Sequence, residues 1–216
     1  LDDTIWNFRT NSKIALEIIY DRYGLSEYYP LFDEYYRVYS EKNTELWSLY
    51  HHNRISKETL IVERFRYPLQ RVGAYNDKLV LQLNADYLSV LSEQGELVPQ
   101  ARELLDYLKS RSYRLHIISN GFKEVQFKKM KSAGIENYFE KIILSDEVGV
   151  NKPHPDIFRY ALNKTGSSKN TSLMIGDNYD ADILGAMRSG LDQVYFNPLQ
   201  KQIPDKFPTY EVTGII

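Results

Sequence analysis

Two hydrophobic rhythms divide the chain. Through about residue 90, apolar side chains recur at the three-to-four-residue spacing of helices that bury one face. Ile14, Ala15, Ile18, Ile19 and Tyr23 make the first stripe, closed by Gly24. Residues 5–14 read as a loop leading in, with Asn11 or Ser12 as the N-cap. A second stripe runs from 31 to about 50 through Phe32, Tyr35, Tyr36, Tyr39, Trp47 and Tyr50. Ser56-Lys57-Glu58-Thr59 opens a third helix carrying Leu60, Ile61, Phe65, Tyr67 and Leu69, and a fourth covers 77–91, ending before Gly95.

From Pro99 onward short apolar runs alternate with helical stripes. A helix over 101–108 precedes the run Leu115-His116-Ile117-Ile118-Ser119, and a helix over 122–133 ends at Gly134. Ile142-Ile143-Leu144 reads as a strand, followed by a loop to Lys152 and a helix over 156–163 behind Pro153 and Pro155, since proline suits a first helical turn. A strand over 172–175, a helix over 181–188 and the strand Gln193-Val194-Tyr195-Phe196 follow, with an irregular tail over 198–208. Strands alternating with helices imply an α/β fold with a parallel sheet covered on both faces. The organisation is therefore an α/β domain made of 1–12 and 89–216, interrupted by a helical insert over 13–88.

Length and charge narrow the function. The 216 residues suffice for a sizeable core. With 27 Lys and Arg against 29 Asp and Glu, the formal charge of −2 gives no general pull toward a nucleic acid polymer or an anionic membrane. No cysteine is present, which excludes thiol nucleophiles and cysteine zinc sites. No apolar run is long enough to span a bilayer and no signal peptide is visible, so a cytoplasmic location is the expectation. Nothing in the pattern bears on oligomeric state.

Candidate chemistry falls at strand ends, where ligands of such sheets bind. Asp177, Asp180 and Asp182 crowd one turn after the strand ending at Gly176. A divalent cation would relieve their repulsion; an ordinary acidic helix start is the alternative. Ser119-Asn120-Gly121 puts a hydroxyl at a strand end and backbone N–H groups at a helix start, a seat for phosphate or else a plain turn. Lys152 follows in Gly149-Val150-Asn151-Lys152-Pro153, and Asp2 with Thr4 opens the chain. A hydroxyl, an ammonium, a helix start and carboxylates are together the parts of a phosphoryl-transfer site. His116 reads as packed in its strand, and His154 as a residue that could approach the site. The aromatic seam of the first ninety residues reads mostly as core, with Trp6 and Phe8 closer to a substrate entrance.

These motifs in this order resemble the haloacid dehalogenase (HAD) superfamily of Mg²⁺-dependent phosphohydrolases. The family carries Asp-x-Asp-x-Thr/Val, then Ser/Thr at a strand end, then Lys, then Gly-Asp with a second Asp a few residues on. Here they stand as Leu1-Asp2-Asp3-Thr4, Ser119, Lys152, and Gly176-Asp177 with Asp182. The runs Leu46-Trp47-x-x-Tyr50, Ile118-Ser119-Asn120-Gly121-Phe122 and Ser145-Asp146-Glu147-Val148-Gly149 are similar to those of its pyrimidine 5′-nucleotidase branch.

The resemblance implies a Rossmann-like, three-layer parallel-sheet core with an inserted all-helical C1 cap, and a phosphomonoester hydrolase working through an aspartyl-phosphate. Its substrate would be a small phosphorylated metabolite such as a nucleoside 5′-monophosphate. Asp2 would be the acid and base and would offer its backbone carbonyl to Mg²⁺. Asp177 would ligate the metal, with Asp182 supporting from behind. Ser119 and Lys152, with Asn120 and Gly121, would hold the phosphoryl oxygens. The nucleophilic aspartate should stand immediately before Leu1, together with a central strand that carries it. It is not among the 216 residues, and the expectation is that the sequence is truncated there. A 2-haloacid dehalogenase or a phosphosugar mutase on the same fold is the alternative, as is a catalytically dead phosphate-binding module if that aspartate is absent from the protein.

Overall fold

A computed structural model describes residues 1–203 and 206–215. The chain divides into two compact units, Arg9–Gln94 and the pair Leu1–Phe8 with Gly95–Ile216. The junctions fall between 8 and 9 and between 94 and 95, where 12/13 and 88/89 were expected. Helices overrun both expected borders, because a periodic stripe marks a helix's buried face and not its ends.

The helical unit contains α1 (Phe8–Arg22), α2 (Phe32–His51), α3 (Lys57–Arg71) and α4 (Asp77–Glu93). Ser56 caps α3 by accepting from Thr59 N at 3.2 Å, and Asn76 caps α4 by accepting from Leu79 N at 3.1 Å. The expected cap of α1 was wrong. Asn11 and Ser12 lie inside that helix and are buried, with Ser12 Oγ 2.8 Å from Tyr87 OH on α4. Ser12 serves helix-to-helix hydrogen bonding, which the sequence pattern does not distinguish from capping. The seam packs as a core. Tyr35, Tyr39, Phe65 and Tyr87 are all buried, with ring centroids 5.1–6.3 Å apart, the separation of offset and edge-to-face aromatic pairs.

The second unit is α/β with parallel strands. Its elements are α5 (Ala101–Ser110), β1 (Leu115–Ser119), α6 (Lys123–Ser132), β2 (Phe139–Leu144), the single turn α7 (Ser145–Val148), α8 (Pro155–Thr165), β3 (Leu173–Gly176), the short α9 (Gly185–Arg188), β4 (Asp192–Phe196) and β5 (Tyr210–Val212). β1 pairs with β2, and β3 with β4 and then β5, all in parallel. Among the described residues no ladder joins β1 to β3, so the parallel strands stand in two groups. Leu173 and Ile175 on β3 are exposed. Ile143, Ile157, Phe158, Ala161, Ala186 and Leu191 make the core beneath α8. Gly185 is needed there, since a methyl on it would meet the Phe158 ring at 2.7 Å.

Two segments depart from the expected pattern. The stretch expected as one helix over 181–188 is a wide π-type turn, Tyr179–Leu184, running into α9. The irregular tail over 198–208 leads to β5; within it 204 and 205 lie outside the described residues. No helix among the described residues is long and apolar enough to cross a membrane.

Candidate active site

Strand ends and one hooked loop bring the candidate residues together. The first six residues curl so that Leu1 O accepts from the N–H groups of Thr4, Ile5 and Trp6 at 2.9–3.3 Å. Bonds from Asn7 N to Glu96 O (3.0 Å) and from Val98 N to Ile5 O (2.8 Å) pin the hook to the following segment of its own unit. Trp6 is fully buried and so part of the core, not a residue at a substrate entrance. The hook sends Asp2 and Thr4 to different partners. Thr4 Oγ1 donates to Asp177 Oδ1 at 2.8 Å. Asp2 Oδ1 accepts from Lys129 Nζ and its Oδ2 from Gln126 Nε2, both at 2.8 Å.

Gln126 Nε2 also reaches Ser119 Oγ, at 2.7 Å, and Gly121 N donates to the same oxygen at 3.1 Å. A serine oxygen has two acceptor positions. Both are taken, which leaves the Ser119 hydroxyl proton to be donated elsewhere. Gly121 permits this approach, because a Cβ there would overlap the Gln126 amide.

Lys152 is held from three sides. Asn120, at the end of β1, grips its backbone: Asn120 Nδ2 donates to Lys152 O at 2.9 Å, and Lys152 N donates to Asn120 Oδ1 at 2.8 Å. Its ammonium donates to Ile118 O at 2.9 Å and to Asp182 Oδ1 at 2.6 Å. Lysine has three N–H donors, so one is left for an anion. The Lys152–Asp182 pair is 8% and 6% exposed. Asp182 reaches it because the turn after β3 is wide: Asn178 Oδ1 accepts from Ala181 N at 2.9 Å, and Asn178 N donates to Asp182 Oδ2 at 3.1 Å. Gly176 makes room, since a Cβ on it would overlap the Asp182 carboxylate. π-type turns recur at functional sites.

The charges are unequally settled. Burial pushes the Asp177 carboxyl up, the neighbouring Asp182 pushes it further, and the Thr4 hydrogen bond only partly offsets both; its pKa stands at about 6. Burial also acts against the Asp2 anion, but the Lys129 ammonium and the hydrogen bonds from Lys129 and Gln126 outweigh it and hold Asp2 below the ordinary carboxylate range. A carboxylate raised in this way is one that a cation would stabilise. Among the described residues no cluster of three or more His, Cys, Asp or Glu is poised around a metal. Mg²⁺ does not need one, because it is commonly held by one or two carboxylates together with substrate phosphate and water. Asp177, held through Oδ1 by the Thr4 hydroxyl, suits that donor set.

Three linked groups thus form: Asp2, Ser119 and Gly121 through Gln126 and Ser119 Oγ; Lys152 with Asn120 and Asp182; and Asp177 with Thr4, its charge felt by Asp182. The Gly121 N–H is turned onto Ser119 Oγ, an engagement not foreseen for a phosphate donor. His154 stays away from this set and caps α8, accepting from Asp156 N at 3.2 Å. His116 packs inside β1, where burial and then Arg114 lower its pKa. Gln126 and Lys129 were not foreseen. The only sequence signal was a polar pair less than one turn apart on the helix following Ser119-Asn120-Gly121.

The chain is 30% identical to the pyrimidine 5′-nucleotidase PynA of Streptococcus pneumoniae, over 98% of this chain and 88% of that protein. It is 29% identical to the pyrimidine 5′-nucleotidase YjjG of Escherichia coli, over 99% and 91%. The crystal structure of YfnB from Bacillus subtilis bound to magnesium superposes with a TM-score of 0.89 at 28% identity, covering 99% of this chain and 91% of that one. Residues 1–190 match the model of one hydrolase family, and the chain belongs to the haloacid dehalogenase-like hydrolases.

Proposed function

We propose that this protein is a Mg²⁺-dependent phosphomonoester hydrolase whose substrate is a small phosphorylated metabolite, a nucleoside 5′-monophosphate in the first instance. The observation that carries the reading is the meeting of Asp2, Ser119, Lys152 and Asp177 at one edge of the α/β unit. The relatives named as pyrimidine 5′-nucleotidases support the substrate class.

In this mechanism the aspartate expected immediately before Leu1 attacks phosphorus, and the ester P–O bond breaks as the aspartyl-phosphate forms. Asp2, in the minor protonated form that its low pKa leaves at neutral pH, gives its proton to the departing oxygen; the resulting carboxylate then takes a proton from the water that cleaves the intermediate and releases inorganic phosphate. The Ser119 hydroxyl and the third N–H of Lys152 donate to phosphoryl oxygens. Asp182 holds the Lys152 ammonium in place. Asp177 and the backbone carbonyl of Asp2 would hold Mg²⁺, which supplies charge neutralisation between two anionic reactants. The helical unit, residues 13–88 in the sequence-based division, serves as the cap that selects the substrate.

A screen of the full-length protein against nucleoside monophosphates and sugar phosphates, with Mg²⁺ and with EDTA, tests the reading. Release of inorganic phosphate from nucleoside 5′-monophosphates with Mg²⁺ alone is expected. Chloride release from a 2-haloacid without Mg²⁺, or no phosphate release from any substrate, overturns it.

A further inference from the structure

We infer that Gln126 and Lys129 of α6 are positioning residues that aim Asp2 at the leaving-group oxygen. The inference rests on the phosphatase reading above. Each oxygen of the Asp2 carboxylate has its own charged or amide donor, Lys129 on Oδ1 and Gln126 on Oδ2, both at 2.8 Å. A carboxylate held at both oxygens cannot rotate about its last bond, so the plane in which it presents or receives a proton is set before substrate arrives.

The two donors are themselves immobilised. Gln126 is fully buried and Lys129 is 4% exposed. The Lys129 ammonium lies 4.4 Å from the Trp6 ring centroid and 5.4 Å from that of Phe8. Trp6 belongs to the same hook as Asp2 and Phe8 follows it at the start of α1, so the lysine holds the loop by cation–π contact and the carboxylate by its charge. Gln126 ties Asp2 to Ser119 through one amide nitrogen. The group that serves the leaving oxygen and a group that serves the phosphoryl oxygens therefore share one rigid reference, which exists because position 121 is a glycine.

A residue that aims a general acid has a signature that a merely structural residue lacks. An alkoxide leaving group, as in a nucleoside 5′-monophosphate, needs a proton as it departs; p-nitrophenolate does not. The parameter kcat/KM reports steps up to that departure, whereas kcat also includes activation of the water by Asp2. Lys129→Met keeps the buried stem and removes the charge. It is expected to lower kcat/KM on the nucleoside 5′-monophosphate by about 10²-fold and on p-nitrophenyl phosphate by less than about fivefold, within the span of general acid–base effects. Lys129→Arg, which retains charge and donors, restores most of the difference. The ratio between the two substrates is independent of how much protein is folded. Gln126→Leu, which leaves the Trp6 contact intact, gives the same selective loss on top of a smaller loss common to both substrates through Ser119. Wild-type protein inert on both substrates defeats the phosphatase reading itself. Active wild-type protein whose Lys129→Met variant loses kcat/KM equally on both substrates, or on neither, overturns the positioning role alone.

Discussion

In the helical unit the Arg64 guanidinium lies 5.1 Å from the Tyr87 ring centroid, donates to Asn84 Oδ1 at 3.1 Å through Nε, and sits among aromatic rings that pack tightly. Tyr35 OH and Asn43 Oδ1, both buried, have no hydrogen-bond partner among the described residues. In the α/β unit the His116 ring nitrogens, Gln126 Oε1 and Ser145 Oγ are also buried without a partner among the described residues, but the charged and amide groups of the site answer one another: Lys152 to Asp182, Gln126 to Asp2 and Ser119, Asn120 to the Lys152 backbone. Polar atoms in the first unit ride on large hydrophobic side chains whose burial is the stabilising term. Those in the second are buried as charges and amides that tolerate the interior only as a set. Removing one group should therefore be cheap in the first unit and severe in the second.

The largest expected effect is on turnover. Asp177→Asn should lower kcat by about 10³-fold or more, since loss of metal-derived charge stabilisation is worth several kcal/mol, while circular dichroism and the melting temperature stay near wild type. An unchanged rate would remove Asp177 from the site. Next, Lys152→Met leaves Asp182 buried without its cation and should lower unfolding stability by about 3–5 kcal/mol in urea titration. Adding Asp182→Asn should recover much of that, and strictly additive losses would show that the pair does not act as a unit.

A smaller effect concerns pH. Asp177 is raised to about 6 by burial and by Asp182, so it takes up its proton as pH falls through that value. A protonated carboxyl competes against the cation. The Mg²⁺ concentration for half-maximal activity should be flat above pH 6 and rise about tenfold for each unit below it. A flat profile down to pH 4.5 would contradict the assignment. The smallest effect belongs to the helical unit: Tyr35→Phe deletes an unpartnered buried hydroxyl and should change stability by less than about 1 kcal/mol, with stabilisation as the favoured sign, and leave activity intact. A loss well beyond that would erase the contrast between the units.

Much of the candidate site could be read before folding, for a local reason. Apolar runs broken by Ser119 or Gly176 mark strand ends, and the chemistry of a parallel sheet collects there. Asp182 was placed near that chemistry, but its bond to Lys152 was not, because it depends on the wide turn after β3. Asn11 and Ser12 looked like helix caps because a small polar residue before an apolar stripe has the same local appearance whether it faces solvent or another helix. Gln126 and Lys129 carried no signal beyond lying on α6, and only the hook of the first six residues turns them into partners of Asp2.

The order of residues by itself determined the family and the alternation of strands and helices, and it nominated the carboxylates, hydroxyl and ammonium of the candidate site, since these follow from periodicity and from short motifs. The tertiary structure alone decided which donor meets which acceptor. Hydrogen bonds of 2.6–2.8 Å between residues 30 to 173 positions apart depend on backbone placement to within an ångström, which no local pattern encodes.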